Sequence, residues 1–473
     1  MNWKTIFKSL KSRDMQKRLL IVLGLIIAYR FLAHVPVPLA QPAELKQVLD
    51  NLLQSTDLGG FVNLLSGGAL ASLSIVLVGL SPFITASVIT QLLTKAIPSL
   101  EELHKDGETG RRKIQQWTRL ITLPLAVLQS IAFIFILRQS VLAGNTGVDI
   151  VAHTDPLQWI TMITAMTAGS MLLMWLGELM TEQGVGNGMS LLIFAGIIAS
   201  FPSTFGTIVS SLFSVPTDAD KLHIFNWFTL PVNWFALAIV AALALAGLIA
   251  LYLIVKINEA QRVINISYAK RVQGNRAYGG VTSILPVKLI TAGVIPVIFA
   301  VAFLALPAFI GQLLKGSADP GWAQVGTNLS AWFKTPDATT FTSGDMTAFI
   351  YPALYFLLVV AFTYFYTSIV FNANEIAENL QKQNGFIANI RPGQQTETHL
   401  RSIVTRLTLF GSLALGIIAI LPFATEYILV QFGVQAQNLA IGGTGLLIVV
   451  SVTLETLRQI NSRALMVTYD QDY

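Results

Sequence analysis

The chain has 473 residues, 53% of them hydrophobic and only 12% charged, with a mean hydropathy of +0.64. Soluble domains carry roughly twice that share of charge, so a soluble globular enzyme and a disordered chain are both excluded. The absence of cysteine removes disulfides, thiolate catalysis and Cys-ligated metals, and the net charge of +5 becomes informative through its placement.

Residues 1–17 form a basic amphipathic segment. Trp3, Ile6, Phe7 and Leu10 fall at i, i+3, i+4 and i+7 with lysines between them, the pattern of a helix lying on a membrane surface. A first apolar span follows over 19–37, interrupted by Arg30, which near a helix end can snorkel. Residues 58–94 contain no charged side chain, a length too great for one span and short for two. The Gly- and Ser-rich first half suggests a broken half-helix entering the membrane at about 60–73, and the apolar second half a full span. A surface loop is the alternative for the first half. Further spans are expected at 120–137, 156–177, within 183–217, and at 235–255, 289–314, 346–374, 407–425 and 427–454. The total is ten, so both termini lie on one side.

Charge orients the spans. Twenty-four of the thirty Lys and Arg fall in the N-terminal segment, the loops after spans 2, 6 and 8, and the C-terminal tail. The opposite side holds only Lys46, Lys221, Lys315 and Lys334. This asymmetry predicts a cytoplasmic location for both termini and for the 256–288 and 375–406 loops.

Little catalytic chemistry is visible. The five histidines, His34, His104, His153, His223 and His399, have no metal-ligand spacing. Gly184-Val185-Gly186-Asn187-Gly188 follows a membrane span rather than a strand, which argues against a phosphate loop. Glu178 and Glu455 read as solvated helix ends, so no ion relay is expected within the spans. No cofactor, metal or catalytic residue is predicted. The 256–288 loop is larger than topology requires, and its Tyr, Lys and Arg side chains suit an acidic protein or RNA partner. A channel, a secondary transporter of small solutes and a membrane scaffold remain open on these residues alone.

Nine segments in order along nearly the whole chain resemble the SecY family of protein-conducting channels. They include Ser66-Gly67-Gly68-Ala69-Leu70, Ser81-Pro82-Phe83-Ile84-Thr85-Ala86-Ser87, Met174-Trp175-Leu176-Gly177-Glu178 and Gly186-Asn187-Gly188-Met189-Ser190. Tyr268-Ala269-Lys270-Arg271, Gly293-Val294-Ile295-Pro296, Ile390-Arg391-Pro392-Gly393 and Gly442-Gly443-Thr444 continue the series, and the loop style is that of bacterial members.

The resemblance implies an all-α polytopic membrane protein. Its ten transmembrane helices would form two pseudo-symmetric five-helix halves, 18–217 and 218–460, before a 461–473 tail. A re-entrant plug half-helix would include Phe61, Leu65, Gly67, Gly68 and Leu70. A pore ring would comprise Leu80, Ile84, Met189, Ile193, Ile298 and Ile448. A lateral gate would run between Thr85, Ser87 and Gln91 on span 2 and the stretch from Ile298 to Leu306 on span 7. Span 7 carries Ile290 where many bacterial members have a polar residue. Lys270, Arg271, Arg276 and Arg391 would dock a SecA ATPase motor or the ribosome. SecE-like and SecG-like small membrane subunits, signal-sequence-bearing polypeptides and the lipid bilayer are the other implied partners. The implied function is passage of unfolded polypeptide across the bacterial plasma membrane, with lateral release of hydrophobic segments and no enzymatic activity.

Overall fold

The computed structural model describes residues 13–37, 74–143, 156–213, 221–224, 228–268, 271–273, 276–278, 282–316, 319–336, 340–341, 346–431 and 443–471. Residues 1–12 of the expected surface helix and the plug residues Phe61, Leu65, Gly67, Gly68 and Leu70 lie outside them, while residues 13–17 begin the first helix, Arg13–Leu32.

Ten helices occupy the places of the ten expected spans. They are α1 (Arg13–Leu32), α2 (Ser81–Ala96), α4 (Glu108–Ala143), α5 (Pro156–Gln183), α6 (Gly188–Phe213), α7 (Trp234–Glu259), α8 (Ile295–Lys315), α10 (Ile350–Val370), α12 (Gln394–Gln431) and α13 (Gly443–Gln471). Three shorter helices, α3 (Pro98–Lys105), α9 (Pro320–Trp332) and α11 (Ala373–Lys382), lie in connections. Among the described residues, six helical stretches are long and apolar enough by themselves to cross a membrane.

Helix α2 has 16 residues, about 24 Å at 1.5 Å per residue and short of a hydrocarbon core of roughly 30 Å. The turn at 74–80 precedes it, and Val76, Leu77 and Val78 there are buried. Irregular backbone at membrane depth is tolerated inside protein, and α5 supplies the cover. A Cβ on Gly169 of α5 would collide with the Ile75 carbonyl, and the adjacent Ser170 hydroxyl donates to the Gly79 carbonyl at 3.0 Å.

Several boundaries differ from those drawn on hydropathy. Helix α12 runs on to Gln431 and α13 covers Gly443–Gln471, so the last helix is shifted toward the C-terminus relative to the expected 427–454 span and most of the expected 461–473 tail is helical. Helix α4 begins at Glu108, so Arg111, Arg112, Lys113 and Arg119 ride on its first turns rather than in a loop. Helix α8 begins at Ile295, six residues after the apolar run begins. Gly293 sits at φ +63 in a left-handed turn, and Pro296 at the helix start suits an N-terminal position whose N–H has no helical partner.

In the first half, α1 and α4 pack on α5, α2 on α4, and α5 on α6; in the second, α8 and α12 flank α10, and α13 packs on α7 and α12. The halves meet along two seams. Helix α8 touches α2 and α4 on one, and α6 touches α7 and α13 on the other.

The basic loops carry strand structure that the span reading does not anticipate. After α7 the chain forms β3 (Gln261–Tyr268), β4 (Arg271–Gln273), β5 (Arg276–Tyr278) and β6 (Thr282–Lys288), following an earlier hairpin of β1 (Lys221–Ile224) and β2 (Phe228–Asn233). Strand β7 (Gly385–Ile387), from the loop after α10, pairs antiparallel with β3, placing Ile266 opposite Ile387 and Tyr268 opposite Gly385. The two large basic loops are therefore one three-stranded sheet, ordered β6-β3-β7. Its inner face buries Ile264, Val287 and Ile387 against Leu400, Ile403 and Val404 of α12.

Candidate functional site

The six residues expected in the ring come from four helices and meet in one apolar cluster. Leu80, Ile84, Ile193, Ile298 and Ile448 are buried members, and Met189 packs against them half-buried. Leu80 directly precedes α2 and accepts the backbone bond from the Ile84 N–H. That i, i+4 spacing puts both side chains on one face.

Met189 and Ile193 are aimed by the turn between α5 and α6. The Asn187 side chain caps α6, accepting from the N–H of Met189 at 3.1 Å and of Ser190 at 3.4 Å. The α5–α6 crossing needs glycine on both sides. A Cβ on Gly188 would strike the Gly177 carbonyl, and one on Gly177 would strike the Met189 thioether. The Gly-Asn-Gly spacing that superficially suggests a phosphate loop thus serves a tight helix crossing that seats Met189.

A cavity of about 420 Å³ lies against this girdle on the side of the basic loops. Ile84, Met189, Ile193 and Ile298 form its floor. Its walls differ in chemistry. Toward the α2–α8 seam they are Phe83, Ser87, Gln91, Ile295 and Phe299, and toward α4 and α5 they are Gln115, Arg119, Glu178 and Glu182.

Sequence reasoning misjudged two carboxylates: Glu455, which is half-buried in the middle of α13, and Glu178. Glu178 is not a solvated helix end: the side chain is 10% exposed and accepts from Arg119 Nε at 2.8 Å and Gln115 Nε2 at 3.1 Å. The carboxylate therefore joins α5 to α4 through two donors, one of them charged. The only advance signal was its place, one residue after Gly177 in an otherwise apolar span, and its partners lie 59 and 63 residues away in sequence.

The residues expected at the gate behave differently. On α2, Gln91 Nε2 donates to Ser87 Oγ at 3.0 Å within the same helix. The buried Thr85 hydroxyl has no hydrogen-bond partner, and neither has the Gln91 carbonyl oxygen. On α8, Ile298 is buried and Leu306 half-buried, and Ile290 is buried in the approach to the helix. Among the described residues no hydrogen bond from Thr85, Ser87 or Gln91 crosses the seam.

The docking candidates divide. Lys270 lies outside the described residues. Arg271 and Arg276 fall in the β4–β5 hairpin, with Arg271 opposite Tyr278 and Gln273 opposite Arg276. Arg391 is exposed and follows β7 at the end away from that hairpin. Its turn is held by the Thr396 hydroxyl donating to the Arg391 carbonyl at 2.9 Å and by Gly393 at φ +99. At the base of the sheet, burial and the nearby Arg458 charge hold the Lys288 amine below its usual range, and Glu455 acts in the opposite direction. Among the described residues no cluster of His, Asp and Glu could hold a metal ion.

The family model for SecY matches residues 74–457. The chain belongs to the SecY family. It is 40% identical over 465 residues to the protein translocase subunit SecY of Streptomyces galbus, covering 98% of each chain. It is 38% identical over 464 residues to that of Mycobacterium tuberculosis strain H37Rv, again covering 98% of each. In fold it resembles a solved protein-conducting channel, with a TM-score of 0.60 and 18% identity over 94% of this chain and 91% of the other. Sec61 of a canine ribosome–channel complex aligns with a TM-score of 0.55 and 17% identity over the same shares. This SecY-family chain is thus a multi-pass membrane protein and the channel subunit of a protein translocase.

Proposed function

We propose that unfolded polypeptide passes through the girdle of Leu80, Ile84, Met189, Ile193, Ile298 and Ile448, and that hydrophobic segments leave sideways between α2 and α8. The observation that carries this reading is the cavity, whose floor is formed by four of the six girdle residues and whose side wall is that seam. A narrow ring of apolar side chains dewets when empty and blocks ions. Methionine and isoleucine side chains can also re-pack around a moving chain. The segment at about 60–73 would seal the ring from the opposite side as a plug. The halves 18–217 and 218–460 would hinge at the α6–α7 and α6–α13 contacts and part at α2–α8.

The charge asymmetry supports a bacterial plasma-membrane location with both termini cytoplasmic. On that side the joined sheet of the two basic loops offers one rigid platform, with Arg271 and Arg276 on the separate β4–β5 hairpin that follows β3 and Arg391 on a turn after β7. A SecA-type ATPase or a ribosome would dock there, with SecE-like and SecG-like subunits completing the complex and the chain itself performing no catalysis. The Sec61 relative is described in a ribosome–channel complex, which supports the ribosome as one partner.

Two experiments test this. Ile84→Asn with Ile448→Asn places amides in the dry ring. It should produce ion conductance in planar bilayers, while Asn at the exposed Leu245 should not; equal conductance would remove these residues from the pore. Arg391→Glu should abolish motor-stimulated translocation in reconstituted vesicles while leaving the fold intact. Unchanged translocation would remove Arg391 from the platform.

A further inference from the structure

A second cavity, of about 450 Å³, opens where the first turns of α1, the turn after α5 and the last third of α13 come together. Gln459, Ser462 and Arg463 line it from α13, and their i, i+3, i+4 spacing puts them on one helix face. Asp14, Met15 and Arg18 line it from α1. Gly184 is its floor, at φ +64, and the Arg463 guanidinium lies against this glycine so closely that a Cβ there would collide with it.

The two arginines are in different states. Arg18 is engaged: Nε donates to the Asp14 carboxylate at 2.9 Å and Nη1 to the Gln183 carbonyl at 3.2 Å. Arg463 is half-buried and makes no hydrogen bond or ion pair with any described residue. A guanidinium taken partly out of water without an acceptor is a costly arrangement. The charged side chains of the cleft leave one net positive charge, because Asp14 offsets only one arginine.

We propose that this cleft binds a phosphate group, carried by a phospholipid headgroup or by a soluble phosphate. The guanidinium fork, the Ser462 hydroxyl and the Gln459 amide are donors converging on one space, and a tetrahedral oxyanion accepts from all three at once. A neutral ligand would leave Arg463 without a counter-charge. The position adds a consequence. Helix α1 and the turn after α5 belong to the first half and α13 to the second, so a bound phosphate ties the halves together away from the α2–α8 seam. The proposal stands independently of the channel reading, because its test reads binding rather than transport.

The test uses the purified translocase complex in nanodiscs of phosphatidylcholine, with increasing phosphatidylglycerol in one arm and inorganic phosphate in the other. Retained lipid is read by native mass spectrometry and protection by thermal unfolding. Arg463→Gln should weaken retention of phosphatidylglycerol about tenfold, equivalent to ~1.4 kcal/mol, and Ser462→Ala should weaken it less. Lys382→Gln, an exposed basic residue on α11, should leave it unchanged. Protection by inorganic phosphate alone, abolished by Arg463→Gln, would assign the site to a soluble phosphate. If Arg463→Gln and Ser462→Ala, both folded by their unfolding profiles, bind both probes as the parent does, the site does not exist.

Discussion

The cavity over the girdle has two walls built on different principles. On the α4–α5 side a buried carboxylate is held by a guanidinium and an amide, and removing the carboxylate leaves both donors without their partner. On the α2–α8 side the polar groups turn inward on their own helix or find no partner, and the contact between helices is made by side-chain packing. Packing between apolar surfaces is non-directional and can be re-made against lipid or against a passing chain. The bonding of a buried carboxylate to fixed donors is directional, and removing those donors leaves an uncompensated charge. On the proposed reading, the α4–α5 wall would move as one body and the α2–α8 seam would be where the molecule opens.

The contrast can be broken by substitution. Glu178→Ala leaves Arg119 and Gln115 without their acceptor. With Arg119 half-exposed, the expected loss of stability is about 2 kcal/mol, between the values typical of surface and buried pairs. Thermal unfolding of the purified complex measures it, and a change indistinguishable from zero would mean that the two walls are equivalent. A smaller effect of opposite sign is expected on the other wall. Thr85→Val keeps the shape of the side chain and removes a buried hydroxyl that satisfies no partner, so stability should rise by about 1 kcal/mol. Destabilisation instead would show that the hydroxyl bonds across the seam and that the gate is latched.

The parts of the molecule legible in the sequence are those governed by local rules. Ten apolar runs became ten helices because a membrane span needs only length and the absence of charge. The ring residues are legible through the family resemblance alone, since helical spacing by itself does not set them apart from other apolar span residues; the structure gathers them in one apolar cluster. What stayed hidden depends on long-range pairing. The Glu178–Arg119 contact joins residues 59 apart, and nothing near Glu178 distinguishes it from a hydrated helix end. The sheet joining the basic loops rests on Ile266 facing Ile387, across two spans of chain. Its strands are only three to eight residues long, too short for alternation to stand out among basic side chains. The start of α8 moved because Gly293 and Pro296 act on backbone geometry, to which hydropathy is blind.

The central claim is that the polypeptide's path runs through the girdle. The natural absence of cysteine makes a direct measurement possible. Single cysteines at Ile84, Ile298 and the exposed Leu245 would be paired in turn with a cysteine in a secreted polypeptide arrested midway through reconstituted vesicles. Disulfides should form at Ile84→Cys and Ile298→Cys and not at Leu245→Cys. Cross-linking at Leu245→Cys with none at the two girdle positions would place the path elsewhere and contradict the account.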